Sequence, residues 1–242
     1  MFNQIAMILR HFFGSIFSGK NQAGKFFMMT ALAGLLVAAV MIWGIWSLSS
    51  FAGSYIAEML PWEWAKRSAV FSVLTAVAGV MVLYILFRYL FLILLSPFLS
   101  YISEKQERHI TGIMKHTGFS VLHSATRSVR INSRNLLRES VISGVLLIAG
   151  FVPLAAVLAV PALFLIQAYF TGFGIMDYYL ERHFTFKETI AVVRSHKWAA
   201  ITLGALFMVT MMIPILGQMA GPYLCTLTAT RYFCAAPGNP GQ

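Results

Sequence analysis

Charge is scarce in this chain. Only 11% of its 242 residues are Asp, Glu, Lys or Arg, whereas soluble domains carry about 25%. Acidic residues are the rarest part, 8 against 18 Lys+Arg, which leaves a formal net charge of +10. With 59% hydrophobic residues, the polar side chains are too few to cover a water-facing surface, and a lipid-facing one is the simplest solution. The length suits one compact membrane domain, residues 1–234, rather than two. Cysteine is almost missing too: Cys225 and Cys234 form no C-x-x-C pair and no Cys/His metal spacing. That excludes a disulfide framework and a zinc site, and no cofactor is expected. No short cleavable apolar region stands at the head of the chain, which argues against a signal peptide. The basic residues punctuate apolar segments instead of forming one patch. Nucleic acid is therefore not expected as a partner; anionic lipid headgroups or an anionic solute are.

What is present is a series of charge-free runs. Residues 26–57 hold a first predicted spanning helix at 26–49, and residues 68–87 open a second that continues to Leu95. Each exceeds the ~20 residues that cross ~30 Å of hydrocarbon. Runs 140–176 and 198–230 extend to hairpins over 140–176 and 198–233. They are long for one span and short for two, and each is interrupted by proline: Phe151-Val152-Pro153, then Ile213-Pro214-Ile215-Leu216-Gly217. A half of about 15 residues reaches only ~22 Å. The pattern predicts two helical hairpins with tips inside the bilayer, buried against protein; one kinked helix per run is the alternative. The expected fold is thus an all-α integral membrane protein with two long transmembrane helices and two Pro-broken, partly penetrating hairpins. Basic residues lie before the first helix, between the second helix and the first hairpin, between the hairpins, and at Arg231. The short loop after the first helix keeps only Lys66 and Arg67. The basic loops are therefore placed in the cytoplasm of a bacterial-type cell, below a multi-pass inner membrane. Residues 2–17 carry Phe2, Ile5, Leu9, Phe12, Phe13 and Ile16 at helical spacing, an interfacial helix. Residues 235–242 form a predicted disordered tail.

Several motifs invite chemistry. Gly19-Lys20-Asn21-Gln22-Ala23-Gly24-Lys25-Phe26 nearly spells a phosphate loop, but Phe26 replaces the magnesium-binding hydroxyl and no strand precedes it. Nucleotide binding is rejected. Free N–H groups with Lys20 and Lys25 can still hold an oxyanion, or the lysines simply meet headgroups. Arg127, Arg130, Arg134 and Arg138 fall on one helical face, either a cationic wall along an anion path or a stripe touching acidic lipid. Arg88 interrupts the second apolar segment. An intramembrane arginine suggests function, although it can also snorkel to the interface before Ser96-Pro97. His109, His116 and His123 recur every seven residues, which spaces them ~10.5 Å along a helix, too far to share a metal. No nucleophile–base pair or carboxylate dyad is apparent, and an enzyme is not expected.

Asp177-Tyr178, Glu181, His183 and Phe186-Lys187-Glu188 are followed by Gly204-Ala205-Leu206 and Ile213-Pro214-Ile215-Leu216, with Ser96-Pro97-Phe98, Glu104 and Glu107 upstream. In order and spacing these resemble the CysZ family of bacterial sulfate permeases, within the etoposide-induced-protein superfamily. The resemblance implies two spanning helices, two partly penetrating hairpins, homo-oligomers and sulfate uptake for cysteine biosynthesis. It also implies a sulfate-binding turn of the form Gly-hydrophobic-Arg-Arg. Here the matching residues are Gly24-Lys25-Phe26-Phe27. Bidentate arginine recognition is absent, and lysine does not replace it geometrically.

The sequence therefore points first to an anion permease for sulfate or a related oxyanion, without ATP hydrolysis. Gly24, Lys25, Lys20 and Arg88 are the candidate solute-binding residues. Arg127, Arg134, Asp177, Glu181, His183, Lys187 and Glu188 are expected to brace the fold or line the path, which is placed at a subunit interface or beside Arg88. The alternative is a membrane scaffold or lipid-interacting protein of the same fold that has lost the sulfate site.

Overall fold

The computed structural model describes residues 1–18, 69–112, 121–149, 153–213 and 216–235, with scattered positions between 28 and 43; side chains are described over most of these. The described residues form helices and no strand. They are α1 (Phe2–Ser18), α2 (Ala69–Thr111), α3 (Val121–Ala149), α4 (Pro153–Leu180), α5 (Phe186–Ser195), α6 (Lys197–Met211) and α7 (Leu216–Ala235). Leu86–Thr111 and Val157–Leu180 are both long and apolar enough to cross a membrane. The predicted first span, 26–49, lies mostly outside the described residues.

The second span corrects the sequence reading. Ser96-Pro97 does not end it near Leu95; α2 runs on through Pro97 to Thr111. Proline removes one N–H from the ladder, and the carbonyl it leaves without a partner belongs to Ile93. The Ser96 hydroxyl donates to that carbonyl at 2.8 Å, so the turn survives. The helix stops where Gly112 takes φ +68°, and Gly112 N–H donates to the Arg108 carbonyl at 3.0 Å, a left-handed cap. The last helix likewise reaches Ala235, into the segment expected as tail.

Helix α4 is the centre of the assembly. It runs antiparallel to α6, its most extensive partner, and also touches α2, α3 and α7. Ala168 and Gly172 of α4 meet Gly204 and Ala200 of α6 backbone to backbone. A Cβ on Gly172 would fall 1.9 Å from the Ala200 carbonyl oxygen, and one on Gly204 would fall 1.8 Å from that of Ala168. Small residues four apart on both helices let the axes approach this closely. Helix α1 lays Ile8, Phe12 and Ser15 against α6 and α7. Residues 151–152 and 214–215 of the expected breaks lie outside the described residues; on either side of them the described helices are α3, to Ala149, and α4, from Pro153, then α6, to Met211, and α7, from Leu216. Within each pair the two helices pack together.

Candidate functional site

The face of α3 turned into the protein is polar. Ser124, Ser128, Asn132, Asn135, Glu139 and Ser143 are all buried, at spacings of four, four, three, four and four that place them on one stripe. The stripe runs between α2 and α4, and three ion-paired clusters are arranged along this seam.

The first cluster centres on Arg88. Its guanidinium grips both carboxylate oxygens of Glu139 from one nitrogen. The Tyr89 hydroxyl donates to Glu139 Oε2 at 2.6 Å, and Arg88 Nη1 reaches the Gln167 carbonyl at 3.5 Å. Arg88, Tyr89 and Glu139 are 1%, 1% and 0% exposed. Arg88 therefore does not snorkel; it turns into the protein. Glu139 escapes the sequence reading because it stands just before the charge-free run and has no acidic neighbour nearer than Asp177 on that side. Its signal was the uncharged polar stripe it belongs to.

The second cluster joins α3, α4 and α5. Arg127 Nη2 donates to Asp177 Oδ1 at 3.0 Å and to Thr189 Oγ1 at 2.8 Å. Its Nη1 donates to the Phe184 carbonyl at 2.8 Å. Close by, the Ser124 hydroxyl donates to Glu181 Oε1 at 3.2 Å, and burial raises the Glu181 carboxyl above its usual range. In the third cluster Glu107 receives Arg182 Nη2 at 3.1 Å and faces His183 Nε2 at 2.6 Å. Arg182 also donates to Ser103 Oγ, which shares a 2.8 Å hydrogen bond with Thr230 of α7. Tyr179 stacks on His183 and, in near-parallel planes, on Phe233.

The arginine stripe does not act as one wall. Arg127 is committed to Asp177. Arg134, half-buried, donates to Asn135 Oδ1 and lies over Phe173, and burial with nearby Arg138 lowers its pKa. Arg130 is exposed above Phe186, and Arg138 is exposed. Lys187 is exposed, while Glu188 accepts the Thr185 N–H at 2.8 Å and caps α5. His109 is exposed; His116, Gly24, Lys25 and Lys20 fall outside the described residues, and His123 lies in the first turn of α3. Among the described residues no group of three His, Cys, Asp or Glu side chains could hold a metal.

An all-helical chain with membrane-length apolar helices and a buried, ion-paired polar seam has the build of a helical membrane protein. The sequence pattern of the Sulfate transporter CysZ/Etoposide-induced protein 2.4 family matches residues 8–222, and the chain belongs to that family. It is also similar to a Sulfate transporter CysZ of Pseudomonas syringae pv. tomato, 26% identical over 138 residues, which are 54% of this chain and 53% of the relative. The chain thus spans about half the length of that curated relative.

Proposed function

We propose that the chain is an oxyanion permease of the bacterial inner membrane, with sulfate for cysteine biosynthesis as the first candidate solute, working without ATP hydrolysis. The observation that carries the reading is Arg88: a cation buried on an apolar helix beside a polar stripe, in a member of a family named for sulfate transport. Charge crosses hydrocarbon only along a polar route, and the α2–α3–α4 seam would form the cytoplasmic end of one.

Helix lengths support a membrane placement. The 43 residues of α2 measure about 64 Å, roughly twice the hydrocarbon thickness. The half near Ala69 is assigned to the bilayer, and the half bearing Glu104, Lys105, Glu107 and Arg108 to the cytoplasm. Arg88, about 28 Å along the axis from Ala69, then stands at the inner boundary. Exposed apolar side chains gather at both helix breaks: Val141, Val145, Ile148, Val157 and Leu158 at one, Val209, Met212, Ile213 and Leu216 at the other. Such surfaces suit hairpin tips dipped in lipid. Phe2, Phe13 and Ile16, exposed on α1, suit the interface, and Arg130 and Arg138 suit anionic headgroups. Gly24 and Lys25 would capture the anion, with Lys20 drawing it in. Asp177, Glu181 and His183 brace the cytoplasmic half.

The test is uptake of radiolabelled sulfate into proteoliposomes by the wild type beside Lys25→Ala. Saturable uptake that the variant weakens is expected. Reconstituted, folded protein that takes up no sulfate would overturn the permease reading and leave the scaffold alternative, which the Phe26-Phe27 replacement of the arginine pair favours.

A further inference from the structure

We propose that Arg88 and Tyr89 form an oxyanion site that the protein fills with its own Glu139 carboxylate at rest, so that a permeating anion binds by displacing Glu139. The inference rests on the permease reading and names the site where the solute would be held in the helical body.

The geometry is that of an occupied anion site. A guanidinium and a phenol, adjacent on α2, converge on a single carboxylate, and the Arg88 guanidinium lies 5.1 Å from the Tyr89 ring centre. Arg88 Nη2 holds both oxygens of the carboxylate, and an edge of a tetrahedral oxyanion offers a similar two-oxygen pattern. A further contact, Arg88 Nη1 to the Gln167 carbonyl at 3.5 Å, is at the outer limit of a hydrogen bond. A purely structural role is a poor explanation. Burying two ions costs several kcal/mol each, and apolar side chains of similar volume hold helices together as well or better. The α4–α6 crossing in this protein is held by close backbone packing at Ala168, Gly172, Ala200 and Gly204.

The structure also provides a place for the displaced carboxylate. Asn135 and Ser143 lie one turn before and one turn after Glu139 on the same face of α3. Both are buried, and Asn135 Nδ2 and Ser143 Oγ have no hydrogen-bond partner among the described residues. Either donor, on the side to which the chain swings, can receive a displaced Glu139. Unpartnered buried donors are costly where nothing ever meets them; here one of them gains a partner when the anion enters. Glu139 remains close to the bound anion, and like-charge repulsion then favours release and return to the resting pair.

The experiment compares equilibrium binding of radiolabelled sulfate by the purified full chain in detergent with Glu139→Gln, Glu139→Asp and the double variant Arg88→Gln/Glu139→Gln. Glu139→Gln removes the internal competitor; Glu139→Asp keeps the charge balance, and so folding, while withdrawing the carboxylate by one methylene. A resting state that hides the site in all but a minor population weakens apparent affinity by that fraction. Glu139→Gln is therefore expected to tighten sulfate binding at least about tenfold. Glu139→Asp should tighten it less, and the double variant should lose the tightening, leaving only the binding of the Lys25 turn. If Glu139→Gln does not fold, Glu139→Asp alone decides. Unchanged or weaker binding in whichever of the two folds would overturn the proposal, and normal wild-type uptake beside that result would leave the permease reading standing. Tight binding by Glu139→Gln with no uptake by the wild type would keep the site and remove the permease.

Discussion

The two sides of α4 are built by opposite means. Toward α6 it presents Ala168 and Gly172 to Ala200 and Gly204, and contact is made by leaving side chains out. Toward α2 and α3 it presents Gln167, Gly174 and Asp177 to a seam of arginines, asparagines and carboxylates. Lipid tails are as apolar as leucine, so hydrophobic burial offers little reason for helices in a bilayer to associate. Close backbone packing supplies one reason, and hydrogen-bonded polar groups another. The first is cheap and fixed in shape. The second costs desolvation but can rearrange, which is what a solute path needs. The difference predicts that damage on the two sides will have different signatures: loss of volume tolerance on one, loss of charge balance on the other.

The largest effect is expected from Arg127→Ala. It leaves Asp177, 2% exposed, as a buried uncompensated charge, and breaking such a pair costs about 3–5 kcal/mol. Chemical unfolding in detergent would measure it. The double variant Arg127→Met/Asp177→Leu removes both charges and should recover most of the loss. A double variant as damaged as the single would mean that the Phe184 and Thr189 contacts of Arg127, rather than the ion pair, hold this end of the seam.

A matched pair of glycines tests the comparison most directly. Gly172→Ala would drive a methyl to 1.9 Å from the Ala200 carbonyl oxygen, and backbone cannot step aside. A loss at or above the upper end of the about 1–3 kcal/mol typical of overpacking is expected, despite the helix propensity of alanine. Gly174→Ala faces the polar side, where the nearest atom is Asn132 Oδ1 at 2.9 Å. A side-chain end can yield, and alanine's propensity advantage of about 1 kcal/mol offsets the shift, so stability should change little. Equal losses at the two sites would end the distinction between a rigid and an adaptable side.

The sequence made one of these sides far easier to see than the other. Hydrophobic runs locate helices well: the apolar runs expected from 140 and from 198 hold the described helices α3, α4, α6 and α7. The resemblance in residues 177–188 led to Asp177, Glu181 and His183, which do meet charged or polar partners. Arg88 was legible because a charge among apolar residues is conspicuous. Its partner was not. Glu139 lies on a helix whose arginines draw attention to the other faces, and an inward stripe of Ser and Asn has neither charge nor hydrophobicity to mark it. The extent of α2 was missed because a proline's effect depends on whether a neighbouring hydroxyl, here Ser96, caps the carbonyl it frees. Pair identities depend on which helices pack together, and local pattern does not carry that.

The smallest effect lies where α5 begins, off the seam, and it sets the scale for a contact that solvent screens. Glu188 accepts the Thr185 N–H at 2.8 Å, and hydrogen bonds from the Thr185 main chain and side chain hold its carboxyl below the ordinary value. A carboxyl whose native value is depressed stabilises the fold above its unfolded pKa, and that contribution disappears as pH falls through the native value. Glu188→Ala should therefore lower the melting temperature slightly at neutral pH and shorten amide-exchange protection in Phe186–Ser195. The gap between variant and wild type should close as pH drops below the usual glutamate range. A gap that stays constant with pH would assign the cap to the side chain's shape rather than its charge. A gap as large as that of Arg127→Ala would show that exposed and buried carboxylates contribute alike in this fold, against the expectation that screening separates them.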